Sequence, residues 1–161
     1  MDPLVKGWLI RALFVLPLLA ACYTDLTRYR IPNALCAVMA LSFPVALWLA
    51  PAPVPWFLHV LTALAVLGAG MVLFIPGLMG GGDIKLMAAC ALWMGPTVTV
   101  AALVLTALVG GVLSLILLGC RALPASGAWP VLRKGAPVPY GLAIALGGIM
   151  VVSRLPMLAG T

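Results

Sequence analysis

Long apolar runs with very few charged residues constrain this chain more than any other feature. One run, from about Trp56 to Ile75, is uncharged and long enough for an α-helix to cross the roughly 30 Å hydrocarbon core of a bilayer. Of the 161 residues, 65% are hydrophobic and 7% are charged, whereas about a quarter are charged in soluble domains. The sequence therefore predicts an all-α, polytopic membrane protein that forms a single domain over residues 1–161.

Proline and glycine divide these runs into six predicted transmembrane helices. We expect them over residues 8–23, 33–49, 56–75, 84–94 and 96–118, with a sixth that follows Pro137-Val138-Pro139-Tyr140-Gly141 and ends near Arg154. The fourth would extend only about 16 Å, roughly half of a bilayer. Either this helix begins earlier, within the preceding glycines, or the segment before it lies in a recess that water can reach.

Acidic residues are almost absent. The chain has three in all, Asp2, Asp25 and Asp83. Asp2 lies at the terminus, but Asp25 and Asp83 are embedded in apolar sequence, where an ionisable group is costly enough to indicate a function. Asp83 directly follows three glycines, which let another backbone approach closely. We therefore expect Asp25 and Asp83 to form one site.

A pair of carboxylates can share one proton, so that one acts as a base and the other as an acid. Such a pair can activate a water for attack on a peptide carbonyl and protonate the leaving group. The single histidine, His59, has no acidic neighbour, and we interpret it as an interfacial residue. The four cysteines form no C-x-x-C pair, so we expect small buried side chains and neither a metal site nor a disulfide framework: Cys22, Cys36, Cys90 and Cys120. No cofactor is expected.

The motif Gly80-Gly81-Gly82-Asp83-Ile84-Lys85, with Asp25 ahead of Ile31-Pro32-Asn33, resembles the type IV prepilin peptidases, which are membrane aspartic peptidases of the G-x-G-D type. Pro139-Tyr140-Gly141 is similar to a further motif of that family. The resemblance implies an endopeptidase that cleaves the basic leader of prepilins or pseudopilins, in type IV pilus formation and protein secretion. It implies Asp25 and Asp83 as the catalytic pair. The candidate site loop adds Gly80, Gly81, Gly82, Lys85, Arg28, Arg30, Pro32, Asn33, Pro139, Tyr140 and Gly141.

The chain departs from larger members of that family between its first two helices. They carry a cytoplasmic insertion there, often with paired cysteines, that is associated with methylation of the new N-terminus. Here the connection is a few residues long and has no C-x-x-C, so methylation is not expected. The compact form is similar to the peptidases of Flp, or tight-adherence, pilus systems.

Four other interpretations remain open at this point. The acid pair could relay protons or cations in a small transporter, although no repeat with paired interrupted helices is visible. Asp83 could merely cap the fourth helix. Leu19-Ala20-Ala21-Cys22 looks like a lipoprotein cleavage box. A G-x-G-D protease of the presenilin kind is also conceivable, but its Pro-Ala-Leu motif is absent.

The basic residues predict how the chain lies in the membrane. The net charge is +6, but the scattered Lys and Arg residues do not form a nucleic-acid interface. Six lie on one predicted face and three on the other, which places both aspartates on the cytoplasmic side of a bacterial inner membrane and both termini in the periplasm.

We expect the lipid bilayer and pilin precursors as partners, and a homo-oligomer is possible. The basic residues predicted on the cytoplasmic side are Arg28, Arg30, Lys85, Arg121, Arg133 and Lys134. Those predicted on the opposite side are Lys6, Arg11 and Arg154. The tryptophans expected in an outer aromatic belt are Trp8, Trp48, Trp56 and Trp93.

Overall fold

The computed structural model describes residues 1–122 and 136–159, which are helical and contain no strand. The helices are α1 (Pro3–Arg28), α2 (Asn33–Leu49), α3 (Trp56–Phe74), α4 (Gly81–Arg121) and α5 (Tyr140–Met150), followed by 3₁₀ turns at Val152–Arg154 and Pro156–Leu158. Within this part of the chain, α1, α3 and α4 are long and apolar enough to cross a membrane, and α2 and α5 are shorter apolar helices. The predicted fold class, an all-α membrane protein, is confirmed.

Helix α4 is broken at Gly95 and folds back on itself. Gly95 has φ 64° and ψ −177°, a left-handed conformation that glycine adopts readily, and the next residue, Pro96, cannot donate a backbone hydrogen bond. Residues from both sides of the break, including Met87, Ala91, Thr99 and Leu103, line one small cavity. The first arm (residues 81–94) and the second arm (residues 96–121) therefore pack side by side. The described chain thus contains six helical segments.

The helices next to the two aspartates are longer than expected. Helix α1 continues past Tyr23 to Arg28, so Asp25 lies within its last turn and not beyond its end. Helix α4 begins at Gly81, within the glycines, so the fourth helix begins earlier than expected. At the other end of the chain, α5 has 11 residues and extends only about 16 Å.

Two residues expected at the membrane interface lie in the core instead. Trp93 is fully buried, its indole N–H donates a 2.8 Å hydrogen bond to the carbonyl oxygen of Met39, and its ring packs on Phe14 with the centroids 5.5 Å apart. His59 is also buried, and its Nδ1 donates to the carbonyl oxygen of Leu92 at 2.9 Å. The Phe43 ring of α2 contacts both, with its centroid 6.3 Å from that of Trp93 and 5.6 Å from that of His59. Trp8, Trp48 and Trp56 are exposed, as an aromatic belt requires.

Three of the six basic residues predicted on the cytoplasmic side lie at the end of α4 or between α4 and α5 in the sequence. Arg121, at the end of α4, donates to the carbonyl oxygen of Pro137 at 3.2 Å. Arg133 and Lys134 lie outside the described residues.

Candidate active site

Asp25 and Asp83 reach one region of the molecule from two different helices. Asp25 lies in the last turn of α1 and Asp83 in the first turn of α4. Both border two cavities, of about 330 and about 340 Å³. The first cavity continues along the loop from Gly77 to Gly80, and the second along the connection from α1 to α2. The structure therefore brings together the two acids that the sequence suggested for one site.

The carboxylate of Asp25 is held by the start of helix α5. Its side chain is buried, with 7% of its surface exposed, and its Oδ2 accepts a 2.7 Å hydrogen bond from the backbone N–H of Gly141. Gly141 is the second residue of α5, and an N–H in the first turn of a helix has no partner within that helix. The helix N-terminus also favours a negative charge. Gly141, the last residue of the predicted motif Pro139-Tyr140-Gly141, thus holds the Asp25 carboxylate in place.

Gly141 also allows this close approach sterically. A β-carbon at this position would lie 2.8 Å from Oδ2 and 2.9 Å from Cβ of Asp25, distances that would force one of the two residues to move. The other two residues of this motif have different surroundings. Tyr140 borders the first cavity, whereas Pro139 is the buried residue that precedes α5.

The carboxylate of Asp83 folds back over the start of its own helix. It is half-buried and lies beside Gly80, the N-cap residue of α4. A β-carbon on Gly80 would lie 2.7 Å from Oδ2 of Asp83. This position, three residues after the N-cap, suits a capping role for Asp83, but capping does not account for Asp25 in the same cavities.

The three glycines before Asp83 have different neighbours. Only Gly80 lies against the carboxylate. A β-carbon on Gly82 would lie 3.2 Å from Cβ of Ile31, so this glycine allows α4 to pack on the connection between α1 and α2. A β-carbon on Gly81 would meet the Phe74 ring at 3.4 Å, an ordinary contact distance.

A hydrogen bond beside the second cavity joins two of the predicted motifs. Nζ of Lys85 donates to Oδ1 of Asn33 at 3.0 Å, which links the start of α2 to the first arm of α4. Both residues border the second cavity together with Arg30. Arg28 is exposed on the last turn of α1, and Pro32 is the N-cap of α2. Neither Arg28 nor Pro32 borders either of the two described cavities.

One residue of this region was missed by the sequence reasoning. Tyr29 borders both cavities, as do Asp25, Gly80 and Asp83. Its spacing could have revealed it, since residues four apart on a helix lie on the same face, and Tyr29 follows Asp25 by four.

The chemistry available here is that of paired carboxylates. Asp25 and Asp83 lie near enough to interact electrostatically. Within residues 1–122 and 136–159, no three His, Cys, Asp or Glu side chains lie together as a metal site would require. The two carboxylates are suited to moving protons to and from a bound molecule.

Comparison with known proteins identifies the family. No curated protein and no solved structure gives a match to the chain. The model of the type IV leader peptidase family matches residues 12–115. The matched region is well over half of the chain and contains Asp25, Asp83 and the three glycines, and it stops before the motif at Pro139. The chain therefore belongs to the type IV leader peptidase family.

Proposed function

We propose that this membrane peptidase is an aspartic endopeptidase that removes the leader from type IV prepilins or pseudopilins. Family membership supports peptidase activity. The observation that carries the aspartic mechanism is that Asp25 and Asp83, on separate helices, border the same two cavities. No other intramembrane acid exists in the sequence, because Asp2 lies at the N-terminus.

In the proposed reaction the carboxylates act as base and acid. The ionised carboxylate takes a proton from a water molecule, and the water oxygen bonds to the carbonyl carbon of the scissile peptide. The protonated carboxyl then gives its proton to the peptide nitrogen as the C–N bond breaks. The products are a leader ending in a new carboxyl group and a mature pilin with a new amino terminus. The base is left protonated and the acid ionised, so the pair exchanges roles.

The position of the site suits a substrate that approaches along a membrane surface. The two aspartates lie at the ends of α1 and α4, and not midway along them. A prepilin presents an extended stretch between a basic leader and a hydrophobic helix. In this proposal the hydrophobic helix stays in the bilayer and the extended stretch enters the cavities from the cytoplasmic face of the inner membrane.

Our first prediction concerns the two acids. We expect Asp25→Asn and Asp83→Asn each to abolish leader cleavage of a co-expressed prepilin, because an amide can neither accept nor donate the required proton. Processing is measured as a mobility shift on an immunoblot. Asp2→Asn is the matched control and should process normally, since Asp2 only caps α1 by accepting the Leu4 N–H at 2.8 Å.

The amount of inserted protein has to be equal in all four strains for this comparison. Near-normal cleavage by either the Asp25 or the Asp83 variant would overturn the proposed acid pair.

A further inference from the structure

Tyr29 has a hydroxyl group without a partner beside the two aspartates. Among the side chains that the structure describes, this hydroxyl is the buried polar group that forms no hydrogen bond. A buried hydroxyl without a partner is unfavourable, so such a group calls for an explanation. The family match and the predicted motifs assign no role to Tyr29.

The backbone of Tyr29 does not explain the choice of tyrosine. Tyr29 ends helix α1 in a left-handed conformation, with φ 50° and ψ 36°, and its N–H donates to the carbonyl oxygen of Asp25 at 2.9 Å. Glycine or asparagine adopts this conformation more readily. A tyrosine here is thus unfavourable for the backbone as well as for its own hydroxyl.

The side chain lies where a bound peptide would pass. The two cavities share Asp25, Tyr29, Gly80 and Asp83 along their borders. An extended peptide that runs from one cavity to the other past both carboxylates must therefore pass Tyr29. A peptide that enters there displaces the groups that cover the hydroxyl, and the hydroxyl can then donate the hydrogen bond that it lacks in the free protein.

We propose that Tyr29 binds the substrate by donating a hydrogen bond from its hydroxyl to a backbone carbonyl of the extended segment, next to the scissile bond. This inference rests on the proposed peptidase function and adds a substrate-binding residue to it. A backbone carbonyl is the partner that every prepilin can offer, so Tyr29 would help to orient the peptide whatever its side chains.

The test uses Tyr29→Phe, which removes only the oxygen atom. With purified full-length enzyme in detergent and a purified prepilin, we expect kcat/KM to fall roughly three- to tenfold, as the loss of one hydrogen bond implies, with KM carrying part of the change. The melting temperature should stay the same or rise, because the hydroxyl has no partner in the free enzyme. The matched control is Tyr23→Phe, since Tyr23 is exposed on α1 and borders neither cavity, and it should change neither quantity.

A second variant separates the hydroxyl from the backbone role. Tyr29→Asn suits the left-handed conformation but lacks the phenol, so we expect it to lose kcat/KM at least as strongly as Tyr29→Phe while the protein still folds. Wild-type kinetics in Tyr29→Phe would overturn the inference. So would a fall in melting temperature that accompanies the loss of activity, because the hydroxyl would then stabilise the fold. Asp25→Asn measured alongside tests the proposed function separately, since it should be inactive whatever Tyr29 does.

Discussion

At the scale of single residues, each aspartate of the site lies against a glycine. Gly141 contacts Asp25 from helix α5, and Gly80 contacts Asp83 from the start of α4. Gly141 also donates its backbone N–H to the Asp25 carboxylate. At Asp25 the absence of a β-carbon and the presence of a free amide therefore act together. At Asp83 the absence of a β-carbon alone leaves room for the carboxylate beside the cavities.

The second prediction follows from this pairing. Gly141→Ala and Gly80→Ala should each lower prepilin processing on the order of tenfold or more, because misplacing a reacting group by about 1 Å can cost about a hundredfold in rate. Gly81→Ala should process within about twofold of wild type, because the Phe74 ring is 3.4 Å from its added β-carbon. Initial rates on one purified prepilin, at matched enzyme concentration, measure all three.

These three variants also test the reason for the glycine run. If Gly81→Ala lost as much activity as Gly80→Ala, flexibility of the whole segment would matter more than the contact between Gly80 and the Asp83 carboxylate.

At the scale of elements, the break in α4 sets where its first arm can lie. The arm carries Asp83 at one end and ends at Gly95 at the other, and both ends are fixed by contacts. Near Asp83, Lys85 is hydrogen-bonded to Asn33. At the break, a β-carbon on Gly95 would lie 2.7 Å from Nε2 of His59, so the buried histidine fills the space beside the glycine.

The sequence could predict the break but not what surrounds it. Gly95-Pro96 is a strong local signal, and the predicted division of the helices at this point agrees with the structure. The burial of His59 and Trp93 could not be read in the same way, because aromatic and histidine side chains near helix ends are equally suited to the membrane interface and to the core. Which one applies depends on the neighbouring helices.

The third prediction concerns the stability of this break. Gly95→Ala should destabilise the protein by about 1–3 kcal/mol, because alanine is strained at a positive φ and its β-carbon would displace His59. Gly111→Ala is the matched control in the second arm, where an added β-carbon meets no atom within 4 Å. It should be neutral or stabilising by up to about 1 kcal/mol, as alanine favours helix over glycine.

Thermal unfolding in detergent, followed by circular dichroism, measures both variants. A Gly95→Ala protein as stable as wild type would mean that the turn tolerates a side chain and that the histidine does not constrain it.

At the scale of the whole molecule, the alternation of helix direction gathers the site at one end. The last turn of α1, the start of α2, the start of α4 and the start of α5 all contribute residues to the two cavities or to the carboxylates. The apolar runs, and the proline and glycine residues that separate them, predicted this alternation. Two isolated acids in apolar sequence predicted which end of the molecule carries the site. The contact of Gly141 with Asp25 was not predictable in detail, since the two residues are 116 positions apart.

The last prediction is the orientation of the bundle. The basic residues predict that the site faces the cytoplasm. Leu78 lies in the exposed loop on the site side, and Ala52 lies in the exposed loop between α2 and α3, at the opposite end. In a background without the four native cysteines that still cleaves prepilin, a membrane-impermeant maleimide added to spheroplasts should label Ala52→Cys and Asp2→Cys but not Leu78→Cys. Disruption of the membrane should then expose Leu78→Cys, which controls for reactivity. Labelling of Leu78→Cys in intact spheroplasts would instead place the aspartates on the periplasmic side, where a leader that remains in the cytoplasm could not reach them.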